Sequence, residues 1–171
     1  MPPLLSSKSL ARKIVGSTLA RVKRFVFMPE YECFDSTTRD ESSDGPIEFT
    51  TGSGFIFHVL GNTEDMSVEL RLGPCPRLGE TFVERDVSAN AFWSHRLGKK
   101  IRDLDALQSL YGSEDSAAAF ALELTFSEAE PMVIEYLSDN EHLDQIRITN
   151  VYNGPRCKRI NLARENRDSL I

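Results

Sequence analysis

Apolar and polar residues alternate most regularly in two parts of this chain. Between Ala119 and Leu137, Phe120, Leu122, Leu124 and Phe126 are separated by Ala121, Glu123 and Thr125. Ser127 to Pro131 is a polar, turn-prone break, after which Met132, Ile134 and Tyr136 resume the alternation. A period of two, a turn and a second period of two predict a β-hairpin. Gly54 to Leu72 has the same form. There Phe55, Phe57 and Val59 oppose Ile56, His58 and Leu60. Both faces are mostly apolar, which predicts a central strand covered on two sides. Gly61 to Asp65 turns the chain. Met66, Val68, Leu70 and Leu72 then face inward and Ser67, Glu69 and Arg71 outward, as in a half-exposed strand.

The remaining elements are read around these hairpins. Ser6 or Ser7 caps a short helix running to about Val15, and Gly16 ends it. Ser17 to Met28 reads as helix and then strand, since Leu19 and Val22 have helical spacing and Arg24 to Met28 is strand-like. Asp35 to Pro46 is an acidic, turn-rich loop, followed by a strand from Ile47 to Thr51 and a tight turn at Gly52-Ser53-Gly54. Gly73-Pro74-Cys75-Pro76 breaks the chain, and Glu80 to Asp86 is a third strand. Ser88 or Asn90 caps a helix at Ala91 to Leu97, closed by Gly98. Ile101, Leu104, Leu107 and Leu110 recur every three residues, a spacing open to helix and strand alike. Tyr111 to Ser116 is a connection, Ser138 to Asp144 a polar loop and Gln145 to Val151 a strand. The stretch from Arg156 is basic, helix-compatible from Asn161 to Leu170, and expected to be loosely attached.

Sliding the chain by 66 residues lays Met66 on Met132, Val68 on Ile134, Ile56 on Leu122 and Leu60 on Phe126. The two five-residue turns then coincide. Upstream the offset becomes 82, with Gly16 on Gly98, Leu19 on Ile101 and Val22 on Leu104. The acidic loop at 35–46 accommodates the difference. The fold expected is α+β, mainly antiparallel sheet, built from two tandem helix–strand–hairpin units related by a pseudo-two-fold. The first unit is 1–87, the second 88–155, and 156–171 is a basic tail. Neither unit buries much core alone, so both are expected to pack as one domain.

Charge adds an asymmetry to this picture. The 171 residues carry 20 bases and 26 acids, a net of −6. No acid precedes Glu30, yet Lys8, Arg12, Lys13, Arg21, Lys23 and Arg24 do. Such a start has the composition of a transit segment. We read it instead as a basic first element on an acidic body, because Leu10, Ile14, Leu19 and Val22 are placed as core residues. The longest run without Asp, Glu, Lys or Arg, Phe49 to Thr63, is too short and polar to span a bilayer, so no membrane role is expected. Cys33, Cys75 and Cys157 are odd in number and far apart, which predicts free thiols and a reducing, cytoplasmic setting.

Candidate chemistry is sparse. His58, His95 and His142 are dispersed, with no metal-binding helix motif and no C-x-x-C pair. The loop bearing Asp139, Glu141, His142 and Asp144 lacks the ligand rhythm of a calcium site. Ser53 sits between two strands rather than on a nucleophile elbow, and neither phosphate-binding glycine loop is present. No metal, cofactor or catalytic residue is therefore assigned. Two binding sites are. Asp40, Glu41 and Asp44 with Asp139, Glu141 and Asp144 form acidic surfaces for a basic protein partner. As the alternative, Trp93, Arg96, Lys99, Lys100 and Arg102 are the one aromatic–basic cluster, placed to hold an anion or small molecule at a groove between the units. The acidic balance disfavours nucleic acid, and exposed hairpin edges allow a homodimer by strand pairing.

The run Trp93 to Ile101, W-x-x-x-L-G-K-K-I, followed by the strands Phe120 to Phe126 and Met132 to Leu137, resembles small uncharacterised bacterial α+β proteins. Some of these accompany polymorphic toxins as immunity proteins. The resemblance covers about half the chain. It implies a cytoplasmic, non-enzymatic acidic protein that occludes a partner, and it carries over no functional residue.

Overall fold

A computed structural model describes residues 3–27, 41–43, 45–76, 78–110, 118–137 and 145–164. In chain order the elements are α1 (Pro3–Ile14), β1 (Leu19–Phe27), β2 (Glu41–Ser43), β3 (Ile47–Thr51), β4 (Ile56–Asn62), β5 (Ser67–Leu72) and β6 (Phe82–Asp86). They continue with α2 (Ala91–Ser94), β7 (Ile101–Ser109), β8 (Ala121–Phe126), β9 (Ala129–Leu137), β10 (Gln145–Thr149) and β11 (Cys157–Asn161). One sheet has the order β5-β4-β3-β1-β6 and the other β11-β7-β8-β9-β10-β2. Each described pairing is antiparallel. The mainly antiparallel sheet expected is what forms, and among the described residues helix is limited to α1 and α2. The first sheet draws all its strands from 1–87, and the second takes only β2 from there.

The inward faces of the two sheets share one interior. Val22, Ile47, Phe49, Phe57, Val59 and Leu70 from the first meet Leu104, Leu122, Leu124, Met132, Ile134 and Ile148 from the second in a single buried cluster. Helix α1 closes it with Leu10, Ala11 and Ile14, whose spacing puts them on one helical stripe. Gly16, at φ +93°, ends α1 in a conformation that favours glycine.

The two sheets are joined where β1 and β7 begin. Gly16 N donates to Ile101 O (2.8 Å) and Gly98 N to Leu19 O (2.7 Å). Leu19 N donates to Lys99 O (3.0 Å) and Ile101 N to Ser17 O (2.8 Å). An antiparallel bridge joins Thr18 to Lys100.

Several expectations are corrected. Residues 19–27 are strand throughout, not helix then strand. A bulge between Leu19 and Arg21 inserts one residue, so Leu19 and Val22 both face inward although three apart. The same device operates between Ile101 and Asp103, which resolves the three-residue spacing of Ile101 and Leu104 as a strand. The second hairpin turns on Ser127 and Glu128 alone, with Glu128 at φ +61°, and Ala129 to Pro131 belong to β9. The first turn spans the four residues between β4 and β5, so the two turns do not match. Nor do the ladders follow the 66-residue slide. Ile47 pairs with Val59 and Phe49 with Phe57, as Leu122 pairs with Ile134 and Leu124 with Met132, an offset of 75.

Met66 is exposed rather than inward because it belongs to the turn before β5, at φ +51°, and Leu72 because it ends β5, an edge strand. The helix expected at Ala91 to Leu97 is one turn, Ala91 to Ser94, with Asn90 at its N-cap position but no side-chain cap bond. The expected tail at 156–171 contributes β11, paired with β7 from Cys157 to Asn161. The rest of the helix-compatible tail, from 165, lies outside the described residues, as do the loops at 111–117 and 138–144 and most of the acidic loop.

Candidate functional site

Of the six acids expected to meet a partner, Asp40, Asp44, Asp139, Glu141 and Asp144 lie outside the described residues. Glu41 belongs to β2, the outermost strand of the second sheet, where it pairs with Ile148. Ser43 pairs with Ile146. The strand that Asp40 and Asp44 flank in sequence thus lies beside β10, which directly follows the 138–144 acidic segment. Strands β2 and β10, which border the two acid-rich stretches in sequence, are paired neighbours in the second sheet.

The aromatic–basic cluster is divided between interior and surface. Trp93 is fully buried, its ring 6.0 Å from that of Phe49 and 4.8 Å from that of Phe92. Arg96 is also fully buried. Its guanidinium lies 4.3 Å from the Phe92 ring centre and donates to the carbonyls of Phe92, Glu130 (3.2 Å) and Pro131 (2.9 Å) and to Asn150 Oδ1 (2.6 Å). Burial pushes Arg96 down to about 10, opposed by Glu130. It still carries its charge at neutral pH. Lys99 bonds Glu128 (3.1 Å), while Lys100 and Arg102 are exposed. The five do not line a common groove, and Arg96, expected to help hold an anion, is an interior clamp on the bulged start of β9.

Two polar rows lie on the outward faces. On the first sheet, cross-strand pairing aligns Arg71, His58, Glu48, Lys23 and Asp86. The connection from β5 to β6 passes over this row. His58 Nδ1 bonds Gly73 O (2.8 Å), and Cys75 N donates to Glu48 Oε2 (2.8 Å). Lys23 reaches Glu84 (2.8 Å) and Glu48 (3.6 Å). The Glu84 bond raises its pKa against burial, with help from Glu48. Burial, then Glu48 and Glu84, push the Cys75 thiol up to about 11. It therefore stays protonated at neutral pH and is neither a nucleophile nor a ready metal ligand.

On the second sheet Asp105 opposes Glu123. Burial raises both carboxyls, and Asp103 adds to the effect on Asp105. Asn161 bridges Asp103 and Asp105, Arg159 pairs with Glu123, and Arg164 with Asp103. Each carboxylate has a basic or amide partner. Among the described residues no group of three His, Cys, Asp or Glu is placed to hold a metal ion. No described helix is long and apolar enough to cross a membrane.

Sequence reasoning missed the burial of Arg24 and Arg96. Arg24 donates to Ile146 O (3.2 Å), linking the two sheets through their interior. Its inward position between Val22 and Val26 is a signal the alternation contains. Comparison of the chain with known protein families, with curated proteins and with solved structures returned no match.

Proposed function

We propose that this is a non-catalytic, acidic binding protein of the cytoplasm that meets a basic protein partner through the edge formed by β2 and β10, in the manner of an immunity protein. One observation carries the reading: the β2–β10 pairing joins the strands next to both acid-rich stretches. Acids flanking adjacent strands raise the local negative potential more than either stretch alone, which favours encounter with a basic surface. Cys75 and Cys157 are free thiols, in keeping with a reducing compartment.

The scaffold on this reading is a tandem pair. The bonds Gly16–Ile101 and Gly98–Leu19 exchange under a shift of 82 residues, as do Leu19–Lys99 and Ile101–Ser17. Bulges at Leu19/Arg21 and Ile101/Asp103 share that offset. These correspondences support a pseudo-two-fold passing near Thr18 and Lys100. The burial of Trp93 and Arg96 gives no support to an anion site built on them.

The test is affinity capture from the source cell with the wild-type chain and a variant carrying Glu41→Lys, Asp44→Lys, Asp139→Lys and Asp144→Lys, followed by reconstitution of the purified pair. A basic protein held by the wild type, released by salt and lost in the variant is expected. Partners that are only neutral or acidic, or equal capture by both chains, would overturn the reading.

A further inference from the structure

We propose a second docking surface on the opposite sheet: the open edge of β5 receives a short, extended, acidic peptide segment as an added strand, with Lys13 as its charge anchor. The backbone directions along β5 set this up. Gly73 N donates to Ile56 O, so odd-numbered residues of the strand turn their peptide groups toward β4. Val68 N donates to Ala119 O, away from β4. By the same alternation Leu70 and Leu72 present N–H and C=O outward, and neither bonds another described residue there. Among the described residues four backbone groups therefore have no partner on an edge strand, the arrangement that β-strand addition uses.

A groove of about 300 Å³ runs along this edge, lined by Ser9, Leu10 and Lys13 of α1 and by Leu70, Arg71 and Leu72 of β5. Leu72 is 60% exposed, an apolar side chain with little cover. Lys13 is exposed and pairs with no described carboxylate. Its charged lining is Lys13 and Arg71, Arg71 being paired with Glu69, and no acid lies on α1, so the groove is basic through Lys13 on a protein of net charge −6. That complementarity selects an acidic occupant.

A second copy fits poorly. Two-fold pairing of β5 with itself centred on Leu70 needs Val68 N, which Ala119 already holds. Centred on Arg71, it sets two arginines opposite one another beside both Lys13 side chains, a repulsive pairing.

The probe is a fluorescein-labelled peptide, acetyl-Glu-Val-Glu-Val-Glu-Val, titrated with the full chain and followed by anisotropy. Saturable binding about tenfold tighter than that of the Lys-Val counterpart is expected. Methylating alternate peptide nitrogens should weaken it severalfold, because added strands bond through the backbone. Lys13→Glu should weaken it about fivefold or more while lowering the unfolding midpoint only slightly, because Lys13 is exposed but lies in the last turn of α1. Equal affinity for the basic peptide, indifference to N-methylation or to Lys13→Glu, or no binding at all would overturn the proposal. So would sedimentation showing a dimer that Leu72→Lys dissociates.

Discussion

Arg96 shows how one residue can hold an irregular stretch together. Pro131 interrupts β9 where the register slips between Leu124 and Phe126, leaving carbonyls that the ladder does not satisfy. Arg96 donates to two of them and to Phe92 O from a site without solvent. Replacing it by Met keeps the apolar stem but orphans these acceptors, so Arg96→Met should cost about 2–4 kcal/mol. Lys, with a single donor centre, should restore only part of it. Urea unfolding of the three proteins measures both. Asp105 acts in the other direction. Burial raises its carboxyl above the unfolded value, so the native state holds the proton to higher pH than the unfolded chain does. The stability this confers is full in acid, and it is lost as pH rises from the ordinary carboxylate range through the native pKa. Asp105→Asn removes the penalty and keeps an acceptor for Asn161. It should therefore unfold later than the parent at pH 7, with the difference vanishing toward about pH 4. A urea midpoint series across that range checks the sign. Parallel curves would refute it.

At the scale of elements, bulges decided what could be read in advance. The existence of β3, β8 and β9 follows from period two, and that of β4 from a run apolar on both faces. In β1 and β7 one inserted residue near the start puts Leu19 with Val22, and Ile101 with Leu104, at helical spacing on a single face. A strand with an extra residue and one turn of helix share that pattern, so periodicity alone could not separate them. Leu107 sharpened the ambiguity. It faces the other way, into a small outer cluster with Ala121 and Val133 that Phe120 and Tyr152 cover. Edge position was equally hidden: Leu72 continues the inward series of Val68 and Leu70 by sequence, yet among the described residues no strand lies beyond β5. Two glycines give a graded test of element geometry. Gly98, at φ +73°, has nothing within 4 Å of an added Cβ, so Gly98→Ala should cost only backbone strain, about 1 kcal/mol. At Gly45 an added Cβ would stand 1.6 Å from the Phe25 carbonyl oxygen, and the start of β3 would have to leave β1. Gly45→Ala should destabilise by several times as much, or leave no folded protein, as circular dichroism during thermal unfolding would show. Equal effects would mean that β3 approaches β1 less closely than described.

For the whole molecule, the acid-poor start and the acid-rich loops were plain in composition, but their spatial relation was not. Which strand lies beside which depends on β2 crossing to the second sheet, a non-local pairing with no local sequence mark. The basic groove at β5 likewise needs α1 and an edge strand together, although the absence of acids before Glu30 pointed to its sign. What ties the two sheets together is the shared interior: Phe49 and Phe57 of one sheet and Leu124 and Met132 of the other belong to one buried cluster. A cavity on one side should then loosen both. Leu124 is 1% exposed, so Leu124→Ala should cost about 3 kcal/mol through lost burial and the void left behind. Val133, in the small outer cluster of the second sheet, supplies the control. Hydrogen exchange should show Leu124→Ala lowering protection in β3 and β4 as much as in β8 and β9, because unfolding either sheet exposes the face of the other. Val133→Ala should act mainly within the second sheet. If Leu124→Ala left β3 and β4 protected, the sheets would be two separately stable units in contact, and the edges proposed for binding could move independently.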